Sequence, residues 1–302
     1  MKDEIIRSPF FYVGDKYKLM RQLRHLFPKN ISTYIEPFVG GGSSFLNTQA
    51  EKYIVNDIDK YVIALHKCLS SYAGKQDEFI SELYSLIDKY GLSCSFRNMN
   101  VPQELKKKYV KTYYSHYNKA AYTSMKSDFN EKENLVLLYL LLIYGFNHMI
   151  RFNSSGKFNL PVGNVDFNKN VYGAICQYLS FMESADITFE NKDFMDFLSG
   201  LTYDENSYIY LDPPYLISGS EYNKYWNETD EQRLCTYLDE LNKRGIRFGI
   251  TNLINHKGMV NQTFMEWSRK YTIYNIESNY ISFNDNTIKA DSKEVFVTNY
   301  VS

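Results

Sequence analysis

The rhythm of apolar positions changes twice along this chain. Thr33 to Glu36 is a short apolar run that predicts a strand, and it runs into Pro37-Phe38-Val39-Gly40-Gly41-Gly42-Ser43-Ser44, after which a helix is expected. Lys52 to Val55 predicts a second strand, ending in Asn56-Asp57. Asp59 is placed to cap the following helix, in which Val62, Ile63, Leu65 and His66 recur at helical spacing. Strand, glycine loop, helix, strand and acid in succession open a doubly wound, nucleotide-binding α/β sheet.

From about Gln76 to Ser180 helical patterns dominate. An Asn-, Gly- and Pro-containing loop, Asn147 to Asn170, interrupts them. The longest apolar run, Leu135 to Phe146 with Gly145 allowed, falls short of the ~20 residues a membrane span needs. It reads as a buried helix. Alternation then resumes: Asp186 to Glu190, Ser207 to Leu211, Arg247 to Thr251, Tyr271 to Ile276 and Val295 to Tyr300 predict strands. Thr229 to Arg244 predicts a helix capped by Thr229. The expected organisation is a catalytic α/β domain from residues 1–75 and 181–302, interrupted by a mostly helical insertion at 76–180.

Composition narrows this picture. A length of 302 residues suits one large domain or two modest ones, and a hydrophobic share of 44% excludes a disordered chain. Tyr (28) and Phe (20) far outnumber Trp (2), an imbalance that AT-rich coding produces, so aromatic content alone does not signal binding. The start of the chain, Met1 to Pro9, is charged and shows no signal peptide. Cys68, Cys94, Cys176 and Cys235 lack metal-ligand spacing and read as reduced structural thiols. The net charge of −1 is a cancellation. Arg97 to Ser127 carries seven basic residues against Glu104 alone, and Glu183 to Glu240 carries fourteen acidic against three basic. The basic run is either a solvated helix face or a phosphate-facing surface. In the second case binding to nucleic acid is salt-sensitive despite the neutral total.

The strongest local signal is Tyr210-Leu211-Asp212-Pro213-Pro214-Tyr215 at the end of an apolar strand, where open α/β sheets place ligands. Pro213 and Pro214 remove two N–H donors and stiffen the loop. An acidic acceptor, a bare carbonyl and an aromatic face then converge. Asp212 and the Pro213 carbonyl can each accept one N–H of an exocyclic amino group, while Tyr215 stacks on its ring. The competing reading is an ordinary proline turn. The three glycines after Glu36-Pro37-Phe38 allow close approach of a ligand to the backbone, although their spacing is not that of a dinucleotide fingerprint. An acid such as Asp57 at the end of the next strand commonly binds ribose hydroxyls.

Together, Tyr12-Val13-Gly14-Asp15-Lys16, Glu36-Pro37-Phe38-Val39-Gly40-Gly41-Gly42, Asp57 and Asp212-Pro213-Pro214-Tyr215 resemble, in order, the landmarks of the Dam-type DNA adenine N6-methyltransferases. That family includes modification enzymes of GATC restriction systems. The resemblance runs over roughly residues 9 to 300, to the closing Glu294-Val295-Phe296-Val297-Thr298-Asn299-Tyr300. Two positions depart from the pattern: Tyr12 stands for the usual Trp, and Asp15 for the usual second glycine.

The resemblance implies a Rossmann-like S-adenosylmethionine-dependent methyltransferase sheet with a target-recognition insertion. It implies methyl transfer to N6 of an adenine flipped out of double-stranded DNA, within GATC or a longer site beginning GAT. Cofactor contacts are implied for Tyr12, Gly14, Lys16, Glu36, Phe38, Gly40, Asp57 and Asp212. Catalytic roles are implied for Asp212, Pro213, Pro214 and Tyr215. The segment 147–163 looks like the family's DNA-reading hairpin. In it Arg151 can read guanine O6 and N7, and Met149 and Pro161 can meet a thymine methyl. Phe146 can wedge into the place of a displaced base, while Asn147 and Asn153 contact bases or backbone. The competing reading has Phe146 and Met149 continuing the buried helix. A monomer is expected, without metal or membrane attachment, in the cytoplasm of a bacterial or phage-infected cell. A cognate restriction endonuclease would act separately. Cytosine N4 or RNA adenine methylation, and a DNA reader that has lost catalysis, are the alternatives.

Overall fold

The computed structural model describes residues 4–218, 226–277 and 292–301. The chain divides into two compact units. One comprises residues 1–17, 40–46 and 59–185, the other residues 18–39, 47–58 and 186–302.

The second unit is built on a mostly parallel sheet. Its strands are β1 (Thr33–Glu36), β2 (Lys52–Asn56), β3 (Ile187–Glu190), β4 (Tyr208–Leu211), β5 (Arg247–His256), β6 (Met259–Val260), β7 (Thr272–Ile276) and β8 (Lys293–Thr298). Their order is β3-β2-β1-β4-β5-β8-β7, with β6 folded back on β5. The first five strands run parallel, and β8 is antiparallel to both β5 and β7. The order reverses between β1 and β4, which makes their carboxyl ends the switch point where such sheets hold ligands. All four residues of β4 are buried, as expected of a parallel strand covered on both faces.

Helices, in chain order, are α1 (Met20–Leu23), α2 (Lys60–Ser70), α3 (Gln76–Tyr90), α4 (Gln103–Lys108), α5 (Tyr113–Glu131), α6 (Leu135–Tyr144), α7 (Lys169–Met182), α8 (Phe194–Ser199), α9 (Glu228–Lys243) and α10 (Gln262–Ser268). The sheet unit takes α1 and α8 to α10. Leu234, Leu238 and Leu241 of α9 and Phe264 of α10 pack with Ile209, Leu211, Phe248 and Ile250. The helical unit takes α2 to α7. Its centre is α6, whose apolar sequence is buried on every side. The two tyrosines of α6 satisfy their hydroxyls on main-chain carbonyls: Tyr139 donates to Pro9 (3.0 Å) and Tyr144 to Ser93 (2.7 Å).

Three local expectations change. Only a three-residue 3-10 turn, Phe45–Asn47, follows the glycine loop, instead of a helix. Asn227, not Thr229, caps α9, because its side chain and that of Asp230 form a reciprocal capping box. Lastly, α6 stops at Tyr144, where Gly145 turns extended, so Phe146 leaves the core and is half exposed. The described residues contain no helix long and apolar enough to cross a membrane, and no cluster of His, Cys, Asp and Glu able to hold a metal.

Candidate active site

In the sheet unit, β1 ends in Glu36, which is buried, and the loop leaving it carries Phe38, which is half-buried. Asn56, at the end of β2, holds that loop. Its Nδ2 donates to the carbonyls of Pro37 (3.1 Å) and Lys192 (3.0 Å), and its main-chain carbonyl accepts from Val39 N (2.8 Å). The Phe38 ring lies 5.4 Å from Phe194 and meets Trp226 edge-on at 5.6 Å. Asp57 is half-exposed, and its carbonyl accepts from Asn191 Nδ2 at 2.7 Å.

The loop leaving β4 places Asp212 at the surface edge and buries Pro213 and Tyr215. Two hydroxyls converge on one oxygen of Asp212. Thr251 donates to Oδ1 at 2.9 Å and Tyr215 at 3.1 Å. With the Thr251 proton so used, Tyr210 donates to Thr251 Oγ1 at 3.1 Å. The Tyr215 hydroxyl also lies 2.7 Å from Oε1 of the buried Glu294. Burial drives the Tyr210 phenol well above its usual range, and the negative charges of Asp212, Glu36 and Glu294 push it further. Three carboxylates therefore act on one buried hydroxyl at the carboxyl ends of β1 and β4.

The glycine loop belongs to the helical unit. There Ser8 Oγ donates to the Gly41 carbonyl. His66 Nε2 lies 2.9 Å from the Gly40 carbonyl, and its Nδ1 lies 2.9 Å from the Tyr178 hydroxyl. A carbonyl can only accept, so the His66 proton sits on Nε2 and Tyr178 donates to Nδ1. Consecutive carbonyls of the loop are thus tied down. Gly42 has φ +79°, and a Cβ there would sit 2.3 Å from the Phe45 ring, so no other residue fits. The Tyr12 ring lies against Gly40, 3.6 Å from where a Cβ would be. Lys16 Nζ donates to the Gly14 carbonyl at 3.2 Å. Asp15 is half-buried and accepts from Tyr17 N. Burial raises its carboxyl above the usual range, against the opposing pull of Tyr17 N, Ser43, Arg7 and Lys16.

Burial depresses the His66 imidazole to about 4. The unfolded chain, at the ordinary value near 6.5, takes up this proton first. The stability of the neutral ring is therefore complete above about pH 6.5 and drains away as pH falls toward 4, on the order of 3 kcal/mol in all. Urea unfolding at pH 7.5 and 4.5 should show this loss in the parent chain and a clearly smaller one in His66→Gln. Equal losses would mean that other groups carry the acid sensitivity.

The segment 147–163 closes at its base through main-chain bonds alone. Phe146 N donates to the Pro161 carbonyl (2.9 Å) and Gly163 N to the Tyr144 carbonyl (2.7 Å). A Cβ on Gly163 would lie 2.5 Å from the Gly145 oxygen, so the crossing needs a glycine. Further out, Phe152 pairs with Phe158, and Asn159 N donates to the Arg151 carbonyl at 3.0 Å. Asn153 Oδ1 closes the turn by accepting from Ser155 N (3.0 Å) and Lys157 N (2.9 Å). Arg151 Nε and Nη2 donate to the side chain (2.9 Å) and main chain (3.0 Å) of Asn159, which braces one edge of the guanidinium. Asn147 and Pro161 are exposed and Met149 is intermediate. Asn147 (φ 53°) and His148 (φ 51°) both take left-handed conformations, a strained pair of the kind that functional turns retain.

Sequence reasoning named most of these residues but not the braces Asn56, Thr251 and Tyr178, nor the role of Glu294. The signals for Glu294 were its place in the closing segment of the family resemblance and a charge heading the apolar run Val295-Phe296-Val297.

A family model described as D12 class N6 adenine-specific DNA methyltransferase matches residues 12–281. Over 98% of the chain, the sequence is 33% identical to the modification methylase StsI of Streptococcus sanguinis and 31% identical to the type II methyltransferase M.FokI of Planomicrobium okeanokoites. The chain spans 43% of the length of each of these two relatives. It is also 26% identical, over 87% of its length, to the DNA adenine methylase of Escherichia coli K12, covering 84% of that protein. On the family match and the site geometry together, the chain belongs to the D12 class of N6 adenine-specific DNA methyltransferases.

Proposed function

We propose that this chain methylates N6 of an adenine in double-stranded DNA, with S-adenosylmethionine as methyl donor, at GATC or a longer site beginning GAT. It would serve a restriction–modification system or a phage or host methylation system. The observation that carries the reading is the Asp212-Pro213-Pro214-Tyr215 turn after β4, with the Thr251 and Tyr215 hydroxyls at Asp212 Oδ1 and the buried Glu294 2.7 Å from the Tyr215 hydroxyl. A negative field at a sheet switch point suits a cation. These residues fit the cofactor. The family resemblance assigns Tyr12, Gly14, Lys16, Glu36, Phe38, Gly40, Asp57 and Asp212 to it.

S-adenosylmethionine supplies an electrophilic methyl group on a sulfonium. The adenine amino group is a poor nucleophile because its lone pair is delocalised into the ring. Asp212 and the Pro213 carbonyl each accept one N6 hydrogen, which favours a pyramidal nitrogen with its lone pair freed. Tyr215 offers a ring face to the base, which must leave the duplex for its N6 to be reached. Catalysis is then mainly orientation and electrostatics, and the N6 proton departs only after the methyl group has moved.

The residues between 76 and 180 act as the target-recognition insertion. Phe146, Asn147, Met149, Arg151, Asn153 and Pro161 are its reading residues, and the lysines of α4 and α5 meet phosphates. With Nε and Nη2 braced by Asn159, the end-on Nη1/Nη2 pair of Arg151 is aimed as a unit, the geometry that guanine O6 and N7 require. Arg151→Ala should lose ~1–3 kcal/mol of discrimination at one guanine position. A uniform loss across all DNA sequences would make Arg151 a phosphate contact instead. The overall reading is tested by single-molecule sequencing of DNA treated with the protein and S-adenosylmethionine. N6-methyladenine in one defined context is expected. N4-methylcytosine, or no modified base, would overturn it.

A further inference from the structure

We propose that Glu294 is a positioning residue of the catalytic loop: through the Tyr215 hydroxyl it fixes the plane of the Tyr215 ring and, together with Thr251, the rotation of the Asp212 carboxylate. The inference rests on the adenine-methyltransferase reading and assigns that site a group from outside the Asp-Pro-Pro-Tyr motif.

The location of Glu294 is the first observation. It lies on β8, paired with Leu253 of β5 and Ile276 of β7, and is 1% exposed. A carboxylate at that depth is costly unless it is hydrogen-bonded. Its Oε1 lies 2.7 Å from the Tyr215 hydroxyl. Val295, Phe296 and Val297 beside it are fully buried, so a leucine would suit the strand at least as well for packing. The position is used for its oxygen.

The second observation is what that oxygen restrains. A tyrosine ring has two soft torsions. In Tyr215 the backbone end follows Pro213-Pro214, and the far end is held by its hydroxyl between Glu294 and Asp212. Both ends of the ring are therefore fixed. The hydroxyl has a single proton to share between two carboxylates, which couples them to each other. Thr251 donates to Asp212 Oδ1 and the Tyr215 hydroxyl lies 3.1 Å from the same oxygen, so turning the carboxylate costs the Thr251 bond and its share of the Tyr215 proton. A chain of contacts thus runs from β8 through Tyr215 to Asp212, and back through Thr251 to Tyr210 on β4. A ring that stacks a base and a carboxylate that orients an amine must both be held in a narrow range of angles.

The test uses the full chain, S-adenosylmethionine and two duplexes. One carries the target adenine, on which kcat and KM are read. The other has 2-aminopurine in its place, which has no 6-amino group to methylate and reports base displacement by fluorescence alone. The variants are Glu294→Leu, Glu294→Gln, Tyr215→Phe and the Glu294→Leu/Tyr215→Phe pair. Glu294→Leu and Tyr215→Phe should each lower kcat about 10- to 100-fold while leaving KM for S-adenosylmethionine within about 3-fold. Both should change the fluorescence of the displaced 2-aminopurine, because the ring beneath it is no longer held. The double variant should be no slower than the slower single one, since both changes break the same link. Glu294→Gln keeps a carbonyl oxygen for the hydroxyl and should recover kcat to within about 5-fold. If Glu294→Leu does not fold, as a melting curve will show, Tyr215→Phe and Glu294→Gln decide alone. Parental kcat in Tyr215→Phe, or multiplicative losses in the double variant, would overturn the inference. A parent chain that methylates no DNA would instead overturn the functional reading.

Discussion

Asp212→Ala should lower methyl transfer by ~10³-fold or more, in line with the loss of a group aimed at developing charge in a partly closed site. The change removes the acceptor proposed for the amino group and the negative charge that acts most strongly on Tyr210. It also releases Thr251 and Tyr215, whose hydroxyls both converge on Oδ1. Folding should survive, because Asp212 is only partly buried and lies in a loop after β4 rather than in the core. Transfer of a labelled methyl group measures the first effect and a thermal melt the second. An Asp212→Ala chain that still methylates DNA at the parental rate would remove Asp212 from the chemistry.

Glu231→Leu should cost about 4 kcal/mol of stability, because it strands three buried donors. Glu231 on α9 is almost wholly buried, and burial raises its carboxyl above the usual range despite the donors that oppose it. Trp226 Nε1 donates to one oxygen at 2.7 Å, and Asn252 Nδ2 and Asn261 Nδ2 donate to the other at 2.8 Å each. Leucine fills the space but accepts nothing. The loss should reach the cofactor side as well, since Trp226 packs edge-on against Phe38. Urea unfolding measures the change, with Glu231→Gln expected to fall between the two. A loss below about 1 kcal/mol would show that water or rearrangement satisfies the donors.

What could be read from the sequence was whatever local pattern decides. The strand Thr33–Glu36, the Asp59 cap and the buried positions of α2 follow from periodicity and capping chemistry, and all three are observed. The cap of α9 was misread by two residues because Asn227 and Thr229 are both good caps, and only the return bond from Asp230 chooses between them. The missing helix after the glycine loop has a different cause. Phe45 and Leu46 are both buried by a single 3-10 turn, and nothing in their spacing distinguishes that turn from the start of a helix. In the site, Asp212 and Tyr215 were legible because prolines mark them. Thr251 and Asn56 were not, since each acts across strands that only folding brings together.

The hairpin base carries one further consequence. Its closing bonds run between the main-chain groups of Tyr144, Phe146, Pro161 and Gly163, and they would form for almost any side chain at the outer positions. Within the segment Ile150, Phe158 and Leu160 are buried and Asn130 brackets the Phe158 main chain, so only the exposed positions are free to change, and Gly145 and Gly163 must remain to let the strands cross. Side chains at the exposed positions can therefore be exchanged, by drift or by grafting, while the core beneath is left as it is. On the function proposed above, those positions are where the target of such a chain is open to revision.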